Sequence, residues 1–241
     1  MHKEKSSLSV VLPVYNDSDS LRSSLKYLTE TLANDFEDFE IILIDDGNTP
    51  DDFDFIKTIA ASNDKIKIFR NSINLNLGIS LQRGLKEAQK DFILFNSIDL
   101  PLSPKDIRSL VVEAADTDIL ILQRRSYPGA TKWRLLTSAV NLLMIKILFP
   151  IATKGIRDFN YTFIIRTDAL GRLLPLAKSP AFTQPEIILR AKYAKLRTKV
   201  IFADYHARKI GSSNLGKPHD IIWSIYDMLR FRLISLFKNI T

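Results

Sequence analysis

Residues 8–17 of this chain read LSVVLPVYND, a run of aliphatic and β-branched side chains that ends in an Asn-Asp turn. Such a run, closed by a turn signal, is typical of a buried β-strand. The next stretch carries leucines three and four residues apart, which is the spacing of one helix face. They are Leu21, Leu25, Leu28 and Leu32. A strand followed by an amphipathic helix is therefore predicted, with Asp17 or Ser18 at the helix N-cap.

The same order of elements repeats further along the chain. Buried strands are predicted at residues 40–46, 66–69 and 92–95, and helices at 52–61 and 79–88. Strands that alternate with helices of this length form right-handed βαβ units. The sequence therefore predicts an α/β fold with a mostly parallel sheet flanked by helices.

Carboxylates follow the predicted strands at the points where these strands end. They are Asp17, Asp45, Asp46 and Asp99. In open α/β sheets the ligand binds beyond the carboxyl ends of the strands. Carboxylates there can accept hydrogen bonds from a nucleoside or hold a divalent cation on a diphosphate. Neither the dinucleotide-binding motif G-x-G-x-x-G nor the P-loop motif occurs, so these two common kinds of nucleotide site lose their main support.

Length and composition restrict the class of protein further. The 241 residues match the size of one domain, or of one domain with an appendage. There is no cysteine, which excludes disulfide scaffolds, thiolate zinc sites and cysteine nucleophiles. The net charge is +7, but residues 1–118 hold 13 basic and 21 acidic side chains, whereas residues 119–241 hold 21 and 6. This asymmetry indicates an anionic partner for the second half: nucleic acid, phospholipid or a phosphorylated ligand.

Short motifs along the chain resemble, in order and spacing, those of family 2 glycosyltransferases of GT-A fold. They are VVLPVYND at 10–17, IDDGNT at 44–49, NLG at 76–78 and SID at 97–99. The second half is similar to the branch of dolichol-phosphate mannosyltransferases and polyprenyl-phosphate glycosyltransferases. The motifs there are QRRSYPG at 123–129, Asp158, EIILR at 186–190 and YHARKIGSS at 205–213. The resemblance covers nearly the whole chain.

This resemblance implies a fold, a domain organisation and an activity. The fold would be a GT-A (Rossmann-like) sheet with C-terminal amphipathic helices, in a single glycosyltransferase domain over residues 1–241. Residues 1–118 would bind the nucleotide-sugar, residues 119–215 the acceptor, and residues 216–241 would form an amphipathic C-terminal helix. The activity would be an inverting transfer of a sugar from a nucleotide-sugar donor to a polyprenyl phosphate, in cell envelope glycan biosynthesis. The enzyme would be cytoplasmic and peripherally associated with the membrane.

The resemblance also assigns the nucleotide side of the site. It implies that the nucleotide is bound by Pro13, Tyr15, Asp17, Asp45, Asp46 and Ser97. Asp99 is implied to be catalytic and to bind Mg²⁺ or Mn²⁺ as the second Asp of a D-x-D motif. The chain departs from this motif, since Ser97 replaces its first Asp and Pro101 stands where the family has Gln. Because a hydroxyl is a poorer ligand than a carboxylate for these cations, weakened metal binding is expected.

The basic half supplies candidates for holding an acceptor phosphate, because a guanidinium donates two parallel hydrogen bonds to phosphate oxygens. They are Arg124, Arg125, Arg208 and Ser213, and the alternative for each is a solvated surface position. Arg208 stands where the family has its phosphate-binding Arg, and we expect it to be catalytic. Asp158 is the third expected catalytic residue, since it is the carboxylate that would act as base on a hydroxyl acceptor. Further departures from the family are Asn48 for Ser and Tyr161-Thr162 for Ser-Gly.

Two stretches are more apolar than the surface helix of a soluble protein requires. Residues 133–151 are too short and too interrupted to span a bilayer. In residues 220–238 a narrow polar stripe faces a wide arc of aromatic and aliphatic side chains with two arginines among them. The stripe consists of Asp220, Ser224, Asp227 and Lys238. This pattern predicts a helix in the interface of an anionic membrane, and packing against the sheet or a second copy is the alternative.

Two rival functions remain open at this point. A family 2 transferase acting on a glycan hydroxyl in surface polysaccharide synthesis would use Asp158 as its base. A non-catalytic sugar-nucleotide-binding protein is indicated by Ser97 and Pro101. Nucleic-acid binding is not expected, because the basic residues lie beside aliphatic helices instead of alternating with aromatic stacking platforms. The sequence leaves the sugar, the donor base, the acceptor length and the oligomeric state open.

Overall fold

The computed structural model describes residues 3–206 and 218–237. Within these residues the chain forms seven strands: β1 (Leu8–Val14), β2 (Phe39–Asp46), β3 (Ile66–Asn71), β4 (Phe92–Phe95), β5 (Ile119–Arg124), β6 (Thr162–Arg166) and β7 (Thr198–Ala203). The α-helices there are α1 (Ser18–Asp35), α2 (Pro50–Ala60), α3 (Asn76–Glu87), α4 (Pro104–Ala114), α5 (Lys132–Leu148), α6 (Pro180–Tyr193) and α7 (Pro218–Phe237). A 3₁₀ helix follows β6 at Thr167–Arg172.

The strands form one sheet in the order β3-β2-β1-β4-β6-β5-β7. All neighbouring pairs are parallel except those of β6, which runs antiparallel to both β4 and β5. The predicted α/β fold with a mostly parallel sheet is therefore confirmed. The register of the parallel strands sets Val14 of β1 beside Asp45 of β2, and Asp45 beside Arg70 of β3. Three strand ends thus meet at one edge of the sheet.

The core lies on both faces of the sheet, because alternate residues of a strand point to opposite sides. Strand β1 illustrates this alternation: Val10 and Leu12 join one apolar cluster, whereas Val11 joins the other. The first cluster includes all four leucines of α1, which are buried as the helical spacing predicted. Side chains of α3 and α6 occupy the second cluster. Helices on both faces therefore hold the carboxyl edge in place.

Helices α5 and α7 differ from the rest because most of their apolar side chains face outward. On α5, Trp133 is 66% exposed and Ile147 is 68% exposed, while Ile145 is fully buried. On α7, Ile222 is 66% exposed and Trp223 is 49% exposed. No helix in residues 3–206 or 218–237 is long and apolar enough to cross a membrane.

Two residues of the predicted polar stripe in α7 face the protein. Ser224 and Asp227 are buried, and one carboxylate oxygen of Asp227 accepts a hydrogen bond from the backbone N–H of Ser179 at 3.1 Å, at the start of α6. Met228 and Phe231 of α7 are buried in the same direction. The outward face of α7 is therefore apolar, and a helical wheel alone does not reveal which side meets the core.

Candidate nucleotide and acceptor site

Asp45 lies at the end of β2 and is fully buried. Its Oδ1 atom accepts a hydrogen bond from the backbone N–H of Asn48 at 3.2 Å, and its Oδ2 atom lies 3.1 Å from the Nε atom of Arg70. The Arg70 guanidinium stacks on Phe53, 4.0 Å from the ring centroid. Arg70 also donates to the backbone carbonyl of Asn48 at 3.1 Å. A nucleoside that reaches Asp45 must therefore approach past Asn48 and Arg70.

Asn48 joins the ends of β1 and β2. Its side-chain amide donates to the Val14 carbonyl at 2.9 Å and also to Asp45, while its Oδ1 atom accepts from the Asn16 backbone N–H at 2.7 Å. Asn16 has a φ of 51°, a left-handed conformation that Asn tolerates better than most residues. The hydrogen bonds of Asn48 thus fix the turn that carries Tyr15, which is exposed, and Asp17, which occupies the N-cap position of α1. Sequence analysis noted Asn48 only as a departure from the family.

Asp46 stabilises the loop between β3 and α3 through hydrogen bonds. Its Oδ1 atom accepts from the Asn71 side-chain amide at 2.9 Å and from the Leu75 backbone N–H at 3.0 Å. Asn71 in turn contacts the Ser80 hydroxyl at 2.9 Å. Asp46 is buried, and its carboxylate is engaged in holding the start of α3. Its role in binding nucleotide stays a prediction, as does that of Pro13, which is half-buried in β1.

Ser97 and Asp99 sit on a tight turn after β4. The Leu100 backbone N–H donates to the Ser97 carbonyl at 2.9 Å, and the Asn96 side chain accepts from the Ser97 N–H at 3.0 Å. Ile98 is buried, while Ser97 and Asp99 on either side of it are partly exposed. The turn therefore presents one hydroxyl and one carboxylate at the carboxyl edge of the sheet.

The D-x-D resemblance implies a divalent cation at this turn. In residues 3–206 and 218–237 there is no group of three or more His, Cys, Asp or Glu that could hold a metal ion. Asp99 and Ser97 are nevertheless hard oxygen ligands of the kind that Mg²⁺ and Mn²⁺ prefer. They fit a cation whose remaining ligands come from diphosphate oxygens and water.

Arg124 ends β5 and forms a bidentate ion pair with Asp158. The Nε atom lies 2.6 Å from Oδ2, and the Nη2 atom lies 2.8 Å from Oδ1, with the two side chains 9% and 5% exposed. Burial alone would raise the pKa of Asp158, but hydrogen bonds and charge from Arg124 outweigh it and hold the pKa below its ordinary value. Asp158 is therefore an ionised partner of Arg124 and is poorly suited to act as the base on a hydroxyl acceptor.

Three tyrosine rings surround the Arg124 guanidinium. Their centroids lie 4.5 Å away for Tyr127, 5.5 Å for Tyr205 and 5.9 Å for Tyr161. The Tyr161 hydroxyl donates to the Asp204 carbonyl at 2.6 Å and contacts the Pro101 carbonyl at 3.1 Å. Burial raises the pKa of this hydroxyl. Tyr161 and Pro101, which both depart from the family, are thus in contact. Their hydrogen bond connects the region after the Ser97–Asp99 turn to the tyrosine rings around Arg124.

A small cavity of about 10 Å³, the space of one water, opens beside this cage. Its polar lining comprises Arg124, Tyr127, Arg134, Ser138 and Tyr205. Arg134 and Ser138 were not among the residues predicted from the sequence, although their spacing of four residues on one face of an apolar helix was a signal. Arg125 is not part of this lining: it is 66% exposed and pairs with Asp204 at 3.1 Å. Arg208 and Ser213 lie outside the described residues.

Glu186, in the EIILR motif of the second half, lies buried in α6. Its two carboxylate oxygens accept from the Ala177 backbone N–H at 2.5 Å and from Arg190 at 2.7 Å. Burial raises its pKa. These contacts hold the loop before α6 and favour a structural role for this carboxylate.

The family of the chain follows from a comparison with known protein families. A model of glycosyl transferase family 2 matches residues 9–177, which is well over half of the chain. The chain therefore belongs to glycosyl transferase family 2.

Individual relatives agree with this family. The chain is 29% identical over 140 residues to an undecaprenyl-phosphate 4-deoxy-4-formamido-L-arabinose transferase of Pseudomonas fluorescens, covering 55% of this chain and 41% of that protein. It is 27% identical over 106 residues to the glycosyltransferase AglD of Haloferax volcanii, covering 43% and 17%. The chain thus spans less than half the length of these relatives.

Solved structures show the same fold at low identity. Glucosyl-3-phosphoglycerate synthase from Mycobacterium tuberculosis, in complex with Mn²⁺, UDP and glucosyl-3-phosphoglycerate, superposes with a TM-score of 0.67 at 15% identity, over 95% of this chain and 79% of that one. For S. aureus TarS 1–349 the TM-score is 0.59 at 19% identity, over 95% and 72%. The GT-A fold expected from the sequence motifs is therefore confirmed.

Proposed function

We propose that this protein is an inverting glycosyltransferase that transfers a sugar from a nucleotide-sugar donor to a polyprenyl phosphate at a membrane surface. One observation carries the proposal: the cavity lined by Arg124, Arg134 and Ser138 opens at the start of α5, whose outward face is apolar. A phosphate held by these side chains at the mouth of the cavity, with its apolar tail along α5, matches both features. The name of one relative, an undecaprenyl-phosphate 4-deoxy-4-formamido-L-arabinose transferase, supports the same acceptor class.

The cavity has the chemistry of a phosphate site. Arg134 forms no ion pair with any carboxylate in residues 3–206 and 218–237, so its guanidinium retains its donors for a ligand. Ser138 lies one helical turn further along and adds a neutral donor. Arg124 adds charge from the strand side, oriented by Asp158 and the tyrosine cage. Guanidinium and hydroxyl donors that converge in this way suit phosphate oxygens.

A phosphate acceptor needs orientation more than it needs a base. The second pKa of a phosphate monoester is about 6, so the attacking oxygen is already largely ionised at neutral pH. A reaction of this kind does not need the Asp158 carboxylate as a base. A glycan hydroxyl would need such a base, and Asp158 is already paired with Arg124. The geometry favours the phosphate acceptor over the hydroxyl acceptor.

The nucleotide side supplies the donor site in this proposal. The nucleoside would bind near Tyr15, Asp17 and Asp45, and Asp99 and Ser97 would hold a divalent cation. When bound, this cation would supply positive charge to the departing nucleotide. The solved complex of the Mycobacterium tuberculosis enzyme with Mn²⁺ and UDP supports a metal-dependent donor site in this fold.

The proposal also places the protein peripherally on an anionic membrane. Both α5 and α7 present apolar side chains outward, and residues 132–148 contain three basic and no acidic side chains. An apolar face with basic residues is the composition of an interfacial helix. The exposure of the apolar side chains of α5 and α7 supports this placement, because a helix packed in a core would bury them.

A transfer assay with matched variants tests the proposal. The purified chain, Mn²⁺, a panel of UDP- and GDP-sugars and undecaprenyl phosphate in detergent should yield a glycosylated lipid phosphate, detected by mass spectrometry. Arg134→Ala should raise the acceptor KM about ten- to a hundredfold, since a charge-assisted contact contributes about 1.5–3 kcal/mol. Lys132→Ala removes the same charge two residues away, outside the cavity, and is the control. Nucleotide binding without product from any donor would favour the non-catalytic protein instead.

A further inference from the structure

A second cavity, of about 380 Å³, lies where the end of α5 meets α6 and α7. Its apolar wall includes Phe149 and Ile151, and its two cations are Lys192 of α6 and Arg232 of α7. Nothing in the proposed transfer reaction uses this cavity. It is large enough for the headgroup region of a small amphiphile.

This second cavity and the cavity beside Arg124 lie near opposite ends of strand β7. The Lys192 ammonium donates to the hydroxyl of Thr198, the first residue of β7, at 2.6 Å. The last residue of β7, Ala203, pairs with Arg124, which lines the first cavity. Five residues of extended strand separate the two ends by roughly 17 Å. The two cavities are therefore distinct sites.

Both cations are held against apolar surroundings. The Arg232 guanidinium lies 5.9 Å from the centroid of the buried Phe149 ring. Lys192 is partly buried, and this burial lowers its pKa. In residues 3–206 and 218–237 neither Lys192 nor Arg232 forms an ion pair with a carboxylate. Two uncompensated positive charges at an apolar wall match an anion that carries an apolar group.

Helix α5 connects the two cavities. Its 17 residues span about 25 Å, with Arg134 and Ser138 near the beginning and Phe149 directly after the end. Ile151, which lines the second cavity, is 91% exposed, and Ile147, near the end of α5, is 68% exposed. A membrane surface that receives the exposed face of α5 therefore reaches both ends of the helix.

We infer that the cavity formed by α5, α6 and α7 binds the phosphate of an anionic phospholipid of the surrounding bilayer, with Lys192 and Arg232 on the phosphate and the lipid chains against Ile147 and Ile151. This site is separate from the acceptor site and anchors the second end of α5. The inference rests on the membrane association in the proposed function.

Two double variants distinguish lipid binding in the cavity from general electrostatic attraction to an anionic membrane. Lys192→Gln with Arg232→Gln removes the cavity cations, and Lys146→Gln with Arg230→Gln removes two exposed cations of α5 and α7 outside the cavity. Sedimentation with phosphatidylcholine vesicles, with and without phosphatidylglycerol, measures the preference for the anionic lipid. At about 0.5 M salt the Debye length is only about 4 Å, so exposed charges are screened much more than partly buried ones.

The cavity pair should then lower the preference for phosphatidylglycerol at least about tenfold, and the exposed pair less than about threefold. Thermal unfolding of both variants checks that they fold. Equal losses at high salt would overturn the headgroup site but leave membrane association intact. If the unaltered chain fails to bind phosphatidylglycerol vesicles even at low salt, the membrane part of the proposed function is wrong as well.

Calorimetry with soluble probes separates the two sources of phosphate. Monomeric dihexanoyl phosphatidylglycerol should bind the unaltered chain in a saturable way and should bind the Lys192→Gln, Arg232→Gln variant at least about tenfold more weakly. Inorganic phosphate should bind much more weakly than the lipid, because it lacks an apolar part. If inorganic phosphate binds as tightly as the lipid, the cavity is a site for a free anion and the assignment to phospholipid is wrong.

Discussion

The proposed nucleotide side and the helix pair α5 and α7 differ in how far their side chains are buried. On the nucleotide side, Asp45 is fully buried and held by Asn48 and Arg70. On the helix pair, Trp133 and Ile222 are each 66% exposed. The first region is organised by contacts within the chain, as a site for a defined polar ligand requires. The second exposes many large apolar side chains, and exposed apolar surface is a feature of sites that interact with another phase or molecule.

The same contrast holds for charge. Asp45 and Asp158 each have an arginine within hydrogen-bonding distance. Arg134, Lys192 and Arg232, in contrast, form no ion pair among the described residues. These carboxylates thus have a partner charge within the fold, whereas the three cations form no ion pair in the described residues. Substitutions in the two regions should therefore differ in what they damage.

The largest effect on activity is expected at the turn that carries Ser97 and Asp99. Asp99→Asn should lower transfer on the order of a thousandfold, because metal stabilisation of the departing diphosphate contributes several kcal/mol. Ser97→Asp should instead lower the Mn²⁺ concentration needed for half-maximal activity about tenfold, since it adds an anionic ligand. Titrations of Mn²⁺ against activity and against nucleotide affinity compare the three forms. Nucleotide binding that is equally tight in EDTA, with Asp99→Asn unchanged in activity, would remove the metal from the mechanism.

The next effect is on stability, at the buried ion pair. Asp158→Asn should lower the free energy of unfolding by about 3–5 kcal/mol, because it leaves Arg124 buried without its counter-charge. The exposed pair of Arg125 and Asp204 is the matched control, and Asp204→Asn should cost less than about 1 kcal/mol. Urea denaturation at pH 7 measures both. Equal costs would show that burial does not distinguish these pairs.

This ion pair also predicts a pH dependence. The folded-state pKa of Asp158 is lowered from its ordinary value of 3.8, so its stabilising contribution is present above that pH and is lost as the pH falls through the folded-state pKa. The stability difference between the unaltered chain and Asp158→Asn should therefore shrink as the pH is lowered below about 4. If the stability difference between the two forms stays constant down to about pH 2, Asp158 does not contribute to stability through its ionised form.

A smaller effect is expected at the joint of β1 and β2. Asn48→Ala removes the amide that bonds to the Val14 carbonyl and to Asp45, and should cost about 1–3 kcal/mol of stability. Nucleotide affinity should fall with it, because the turn bearing Tyr15 and Asp17 loses its support. Asn48→Ser, the residue usual in the family, should recover part of both. Chemical denaturation and calorimetry with UDP measure the two quantities.

The smallest effect on stability, with a separate effect on binding, is expected on α7. Trp223→Ser should change the free energy of unfolding by less than about 0.5 kcal/mol, because the ring is about half exposed. It should nevertheless weaken binding to anionic vesicles about tenfold, since an indole buried in the interface contributes more than about 1 kcal/mol. Phe231→Ala, on the buried side, should cost about 3–5 kcal/mol of stability. A large loss of stability in Trp223→Ser would place its side chain in a core.

Much of the first half was predictable because its signals are local. The apolar run at 8–14 and the leucines of α1 define β1 and α1 by period alone. Asp17 follows β1 and Asp45 lies at the end of β2, so the sequence also indicated one edge of the sheet as the candidate site. The antiparallel direction of β6 was not predicted, because strand direction depends on how the chain returns to the sheet and not on residue period.

The alternating elements, the acidic strand ends and the charge asymmetry can be read from the amino-acid sequence, because each is a property of neighbouring residues or of composition. Three other features emerge only when the chain is folded: Asn48 bridges β1 and β2, Arg134 and Ser138 share a cavity with Arg124, and Ser224 and Asp227 of α7 face inward. These facts join residues distant in sequence, or depend on which side of a helix meets the core. A helix shows its polar and apolar sides in its sequence, but which of them is buried depends on the packing of the rest of the chain.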